Sequence, residues 1–580
     1  MSPVSGRSPA AGKENFMTSA SRAPGRRANH LSATPADELS WRPMQRSVRF
    51  AVTVALGATV FYLLFLLNPA YRGNLYVWLI VVLAEGLVVF QALTTWWTIL
   101  AHSPAPDALE VHTWRRKLAA GELTPSVDVF ITVYGEPLEI VRGTILAARD
   151  MLLQHTVWVL DDGDSDELRD CAAELGVQYL RRDVHDHAKA GNVNAGVRRT
   201  TGEFFVILDA DHVPSPDFLL RALPHMQDPQ VAFVQTPQTF PAARGLVAVG
   251  TAEAQRIFYE LVMPGKNHFN AVFCVGTNVV FRRAALAEIG GMYTASNSED
   301  IWTSLELHRL GWRSVFVPET LARGLAPDNL LSFLKQQFRW SYGGFEVLFR
   351  GGLFTRKGLT LDQRAQYLLT SIHYLLSLSA LAFMSIPSLY LLFGLSPIRS
   401  DVSTWLAHYA PFYVIIVLVT LIQTGGFKLS SMIVSIGAAP VHLRAFVMAL
   451  LGRKAKWSAT NAGPGGLPGV GLVLPHVALL LLNLVAVAVG AAALGHQFTN
   501  VPASLFAMFW ATLYIALLAR IIIEAVSEPR TVKARLERRR VGALLARALP
   551  WPERAFDVDD NLDLTVERTA ASAVSAPVPN

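Results

Sequence analysis

Cysteine is almost missing from this sequence, and charge is thin. Two cysteines, Cys171 and Cys274, in 580 residues exclude a disulfide framework and a cysteine-built zinc cluster. Charged residues make up 17% of the chain, against about 25% in soluble domains. With 52% apolar residues and a mean hydropathy of +0.32, a purely soluble enzyme is excluded. An excess of one charge sign is missing too: 51 Lys and Arg against 45 Asp and Glu leave +6. That excess is too small for a nucleic-acid-binding chain and suits the basic flanks of membrane spans. There is no Gly-x-x-x-x-Gly-Lys-Ser/Thr loop and no kinase signature, which removes the common phosphoryl-transfer machineries.

The apolar residues that are present gather into blocks. Residues 1–47, rich in Ser, Ala, Pro and Arg without hydrophobic periodicity, read as a disordered tail. Val48 to Leu67 and Leu75 to Leu100 are each long enough to cross a hydrocarbon core of about 30 Å. Further blocks at about 366–394, 404–424, 472–494 and 502–523 bring the expected count to six spans. The block near 430–451, interrupted by Pro440, His442 and Arg444, is expected to be an interfacial helix rather than a seventh span. Basic residues concentrate in the N-terminal tail, in the connection carrying Lys428, Arg444, Arg453, Lys454 and Lys456, and after the last span. The positive-inside rule therefore places both termini and the central region in the cytoplasm.

That central region, 104–360, alternates short apolar runs with helical patterns, as an α/β domain does. The strand-like run Phe204 to Leu208 leads directly into Asp209-Ala-Asp211-His212. Two carboxylates two residues apart at a strand end can hold Mg2+, although a lone Asp-x-Asp is more often a solvated turn. A second strand, Val157 to Leu160, ends in Asp161-Asp162-Gly163, and carboxylates from two strand ends favour the binding reading. A third, Val127 to Val133, carries Asp128, either an edge residue or part of a nucleotide pocket, and runs into Tyr134-Gly135-Glu136-Pro137. Between the acidic strands, His187-Ala-Lys189-Ala-Gly191-Asn192-Val-Asn194 offers a cation for a diphosphate among small residues. A strand-like run at Phe273-Cys274-Val-Gly276-Thr277-Asn278 precedes Ser298-Glu299-Asp300, which could be no more than a helix N-cap. Gln336, Arg339 and Trp340 share one face if helical, as an amphipathic interface helix would also arrange them.

In this order the segments resemble the processive family 2 glycosyltransferases, and among them the bacterial cellulose synthase catalytic subunits and related β-glucan synthases. The likeness rests on Asp161-Asp162-Gly163, Lys189-Ala-Gly-Asn-Val-Asn194, Asp209-Ala-Asp211, Ser298-Glu299-Asp300 and Gln336-Gln-Phe-Arg339-Trp340. The resemblance implies a GT-A-type α/β glycosyltransferase domain inserted between transmembrane helices of a polytopic membrane protein. It implies Asp300 as general base, with Glu299 and Asp211 in the catalytic group, and Mg2+ or Mn2+ held by Asp209 and Asp211. Asp128, Asp161, Asp162, Lys189, Asp209, Gln336 and Arg339 would bind the donor, and Trp340, Cys274 and Gly276 the acceptor. Trp457 and Thr460 would be remnants of a gating loop within 453–466. Residues 364–524 form the expected C-terminal membrane region, and 525–580 a basic, then polar tail without a complete PilZ domain.

The implied activity is inverting polymerisation of a nucleotide sugar, UDP-glucose first, into cellulose or another β-glucan that is extruded across the membrane. Implied partners are the nucleotide sugar, the growing polysaccharide, the lipid bilayer and an accessory export or periplasmic subunit, with no nucleic acid. The implied location is the inner membrane, multi-pass, with the catalytic domain cytoplasmic. An alternative is transfer of a single sugar to a lipid carrier, which the Gln336 to Trp340 motif disfavours. A transporter that merely recognises nucleotide sugar would leave Asp300 unemployed.

Overall fold

The computed structural model describes residues 46–101, 109–327, 329–426, 428–453, 470–494 and 500–527. Apart from residues 46–47 and 525–527, both expected tails, and the lid residues Trp457 and Thr460, lie outside them.

The central region is built on β1 (Val127–Val133), β2 (Thr156–Asp161), β3 (Gln178–Arg181), β4 (Phe204–Asp209), β5 (Val213–Pro214), β6 (Val231–Gln235), β7 (Val279–Arg282), β8 (Arg313–Phe316) and β9 (Ala322–Arg323). Seven of these form one sheet in the order β3-β2-β1-β4-β7-β6-β8. β1, β2, β3 and β4 run parallel, and β7 is antiparallel to both neighbours. This mixed sheet is the GT-A-like fold. Its central strands are almost wholly apolar because helices cover both faces. β4 shows the consequence of a two-residue repeat: Phe204, Val206 and Leu208 enter one core with Val129 and Ile131. Phe205 and Ile207 enter the opposite core with Phe130 and Phe281. The small β5–β9 pair is separate and clamps the chain just beyond Asp211.

The strands expected at 127–133, 157–160 and 204–208 are present, each within one residue of its expected ends. The run Phe273 to Asn278 is not a strand, and the ladder begins only at Val279. Side chains replace the ladder there. The backbone N–H of Cys274 donates to Ser304 Oγ (2.8 Å), and that of Val275 to Gln235 Oε1 (3.0 Å).

Among the described residues, seven helical segments are long and apolar enough to cross a membrane. Six correspond to the expected spans. The seventh, Leu429–Leu450, is the block expected at an interface. It consists of two helices, Leu429–Gly437 and Ala439–Leu450, separated at Ala438 just before Pro440. At 1.5 Å per residue neither piece alone spans about 30 Å, and both rest on the α/β domain. Gly250 of the helix Gly245–Ile257 lies so close to the Ser430 carbonyl that a Cβ would meet it at 2.6 Å. Ala445 and Ala449 pack with Tyr342 and Phe345 of the helix Leu330–Arg350. Among the described residues of the bundle, the buried carboxylate Glu85 accepts from the hydroxyls of Tyr62 (3.2 Å) and Tyr413 (3.0 Å).

Candidate active site

The C-terminal ends of β1, β2 and β4 meet at one edge of the sheet, where open α/β sheets bind ligands. β4 delivers Asp209 as its last residue, and Asp211 and His212 follow in the turn. Ligand atoms of these three side chains all lie within 4.8 Å of one another. His212 Nδ1 is 2.9 Å from Asp211 Oδ1, and the ring is held from the other side by Gly324, where a Cβ would come within 2.5 Å of Nε2. Only glycine leaves room for that imidazole. Two hard oxygen donors beside one ring nitrogen suit a divalent ion such as Mg2+ or Mn2+.

Lys189 enters from the first turn of the helix Ala188–Arg199 and forms an ion pair with Asp209. Burial opposes its charge, but Asp209 and Glu299 outweigh that and hold the ammonium above its ordinary pKa. Burial likewise opposes the charge of Asp209, which Lys189 and His212 nevertheless keep below the usual aspartate value. The backbone N–H of Asp209 donates to Thr277 Oγ1 (2.8 Å), which ties β4 to the loop before β7.

That loop supplies Gly276, with φ at +88°, a conformation most side chains resist. The point a Cβ would occupy on Gly276 lies 3.4 Å from Asp300 Oδ2 and 3.7 Å from Lys189 Nζ. Gln235 shapes the turn: its Nε2 donates to the carbonyls of Thr236 and Thr277, both at 2.8 Å. Cys274 is fully buried, and its sulfur accepts from the Gly276 N–H at 3.3 Å. Its thiol, expected at the acceptor, is thus buried beneath Gly276 and supports it.

Glu299 and Asp300 open the helix Glu299–Arg309. Burial lifts the Asp300 carboxyl above its ordinary value, and burial together with Asp300 lifts Glu299 to about 7. Ser298, at the N-cap position, makes no capping bond with its side chain. Its neighbour is Gly343 of the helix Leu330–Arg350, where a Cβ would stand closer than 3.0 Å to both Cβ and Oγ of Ser298. The two helices thus touch through a missing side chain. The same long helix carries Gln336, Arg339 and Trp340 on one face. The charge of Arg339 acts on Asp209, Glu299 and Asp300 alike. Gln336 Oε1 is buried with no hydrogen-bond partner, and the neighbouring Gln337 Oε1 accepts from His442 Nε2 at 3.2 Å.

Three expected donor residues stand elsewhere or are already engaged. Asp128 lies near the start of β1, at the opposite end of the strand from the cluster. It pairs with Arg283 (2.8 Å) and accepts from the Gly202 N–H (2.8 Å), a structural role, on a strand that is interior to the sheet rather than at its edge. Asp161 does reach the correct edge, but it is fully buried and accepts from Gly163 N, Ser165 N and Tyr179 Oη at 2.7–2.8 Å, so it shapes the turn. Asp162 is gripped by Arg182 at 2.8 and 2.5 Å, and Arg182 also donates to the Asp186 carbonyl in the approach to Lys189.

Sequence reasoning assigned no role to four participants. His212 and Gly324 position Asp211, and Gln235 shapes the Gly276 turn. Glu136, at the end of β1, accepts from the Tyr134 N–H (2.6 Å) and is lifted to about 7, first by burial and also by Asp211 and Asp209. His212, adjacent to the acidic pair, and Glu136, in the turn after the first strand, stood in segments the sequence singled out, whereas Gly324 and Gln235 left no signal.

Residues 204–424 match the family described as glycosyl transferase family group 2. The chain is 37% identical over 299 residues to a UDP-forming cellulose synthase catalytic subunit of Pseudomonas fluorescens (strain SBW25), covering 50% of this chain and 40% of that protein. It is 35% identical over 335 residues to the protein of the same name from Xanthomonas axonopodis pv. citri (strain 306), covering 56% and 43%. A longer match, 31% over 441 residues, covers 73% of this chain and 27% of cellulose synthase 2 of Novacetimonas hansenii. The chain spans less than half the length of each of these relatives.

Proposed function

We propose, from the premise that this chain carries a glycosyl transferase family group 2 domain, that it is a membrane-embedded inverting glycosyltransferase that polymerises a nucleotide sugar. UDP-glucose is the first candidate donor, because the UDP-forming cellulose synthase subunits are among its relatives, and the product is a β-linked glucan.

One observation carries the reading: Lys189 Nζ and Asp300 Oδ2 both lie within 4 Å of the same point beside Gly276. A cation for the leaving diphosphate and a carboxylate for the attacking hydroxyl thus face one small space. In the proposed reaction the acceptor hydroxyl oxygen attacks the anomeric carbon, and the bond from that carbon to the diphosphate breaks. The hydroxyl proton passes to Asp300, whose raised pKa makes it a better base than an ordinary aspartate. Attack from the face opposite the leaving group inverts the anomeric centre, so an α-linked donor yields a β-linkage. Lys189 and Arg339 meet the charge that grows on the diphosphate, and the unpartnered Gln336 Oε1 is free for a donor hydroxyl. A divalent ion held by Asp209 and Asp211 would share that charge. Trp340, one turn before Gly343, offers a flat apolar face for the acceptor sugar.

The packing of both Leu429–Gly437 and Ala439–Leu450 on the α/β domain supports an interfacial position for that segment, with the other six apolar segments as spans. We assign the catalytic domain to the cytoplasmic side, where the basic connections lie. Extrusion of the growing chain is assigned to the apolar segments that flank the catalytic domain. The test is to supply membranes containing the chain with labelled UDP-glucose, UDP-N-acetylglucosamine and GDP-mannose in turn, then digest the product with linkage-specific glycanases. Label in a polymer cut by a β-glucanase is expected from UDP-glucose. Label confined to a lipid extract would overturn processive synthesis.

A further inference from the structure

A cavity of about 830 Å3 opens between Leu376–Phe393, Ala439–Leu450 and Val470–Ala493, away from the Lys189–Asp300 cluster. Its walls are aliphatic, through Leu381, Leu443, Val447 and Leu479, and two arginines, Arg444 and Arg453, stand at it. Arg444 lays its guanidinium over the Phe338 ring at 5.6 Å, and the Arg453 backbone carbonyl accepts from the Tyr342 hydroxyl at 3.1 Å. Both arginines are thereby anchored to the long helix Leu330–Arg350 at the level where the α/β domain meets the bundle. Neither has an acidic partner among the described residues.

The lining selects among occupants. A sugar ring needs aromatic faces and hydrogen-bonding side chains, and the lining includes no aromatic, carboxylate or amide side chain. An acyl chain suits the aliphatic walls, and two guanidinium groups without an acidic partner among the described residues suit a phosphodiester, which arginine binds through paired N–H donors. Basic pockets between membrane helices at the headgroup level bind anionic lipids on these grounds.

We propose that this cavity holds one anionic phospholipid, its phosphodiester on Arg444 and Arg453 and an acyl chain against Leu381, Val447 and Leu479. The lining shares no residue with the Lys189–Asp300 cluster, and the test reads lipid retention rather than turnover.

The purified full chain is incubated with equal amounts of dioleoylphosphatidylglycerol and dioleoylphosphatidylcholine, and the retained lipid is counted by native mass spectrometry. One equivalent of phosphatidylglycerol is expected to be retained, preferred roughly tenfold or more over phosphatidylcholine. The double variant Arg444→Gln/Arg453→Gln is expected to bring the ratio close to one. Because loss of the Arg444–Phe338 contact could disturb local packing, Ala478→Trp provides a second reading: it puts an indole on the wall beside Leu479 where the acyl chain would lie, and should expel the retained equivalent while both arginines remain. Equal retention of the two lipids by the unaltered chain overturns the proposal, as does a preference that survives in the double variant or an equivalent that survives Ala478→Trp. Displacement of the lipid by a β-glucan oligosaccharide would reassign the cavity to the product and overturn it as well.

Discussion

Replacing Gly343 by alanine puts one methyl group where Ser298 already stands. On helix propensity alone the change should help, since alanine is favoured over glycine by about 1 kcal/mol within a helix. The overlap decides otherwise: the new Cβ would fall closer than 3.0 Å to both Cβ and Oγ of Ser298. Relief requires the two helices to part by something on the order of 1 Å, at an overpacking cost of roughly 1–3 kcal/mol. The chain should still fold, but Glu299 and Asp300 follow Ser298 directly, while Arg339 and Trp340 belong to the displaced helix. A misplacement of that size costs roughly a hundredfold in rate. The assay is nucleoside diphosphate release from the labelled donor in membranes, with donor binding measured separately. Rescue discriminates between mechanisms. Ser298→Gly removes both colliding atoms and leaves the Ser298 Cα at 3.9 Å, an ordinary contact, so the double variant should recover. Ser298→Ala keeps the colliding Cβ and should not rescue. Wild-type turnover by Gly343→Ala, or equal rescue by the alanine and glycine partners, would refute the reasoning.

Manganese binding followed by electron paramagnetic resonance should be lost in Asp211→Asn and weakened roughly tenfold or more in His212→Ala, because an outer partner that orients a ligand carries that much affinity. Unchanged manganese affinity in both variants would remove the metal from Asp211. For pH, a base must be unprotonated to act, so kcat/KM should fall as pH drops through the raised Asp300 pKa, with an acid limb above the ordinary aspartate value of about 3.9. Arg339→Gln removes a guanidinium that favours the charged Asp300 carboxylate and should move that limb to higher pH; a limb near 4 in the unaltered chain contradicts the assignment. Trp340→Ala should shorten product chains, measured by size-exclusion of the labelled polymer, while Trp340→Phe retains length; full-length product from Trp340→Ala would end the stacking role.

Much of this site was legible because its chemistry is written in short contiguous stretches. Strand runs ending in Asp161-Asp162 and Asp209 place carboxylates at one sheet edge on hydrophobic pattern alone. What escaped depends on contacts between distant segments. Asp128 sits on a strand leading to the site, and only the Arg283 pairing, 155 residues away, shows that it faces the other end. The Phe273–Asn278 run has strand composition, yet Gln235 and Ser304 take its backbone N–H groups. Gly324 beneath His212 and Gly343 beside Ser298 are invisible in sequence, because their importance lies in atoms they lack. The break at Ala438 follows from Pro440, which the sequence did show, whereas the docking of both pieces on the catalytic domain required the structure.

The central claim is that Asp300 removes the acceptor proton in a transfer from a nucleotide sugar. It is tested most directly by Asp300→Asn in membranes given labelled UDP-glucose, with polymer, released UDP and donor affinity measured on the same preparation. The amide keeps the shape of the side chain and cannot take the proton, so polymer and UDP release should fall together by roughly a hundredfold to ten-thousandfold, with UDP affinity within a few-fold of the unaltered chain. Polymer formed at the unaltered rate by Asp300→Asn would contradict the account.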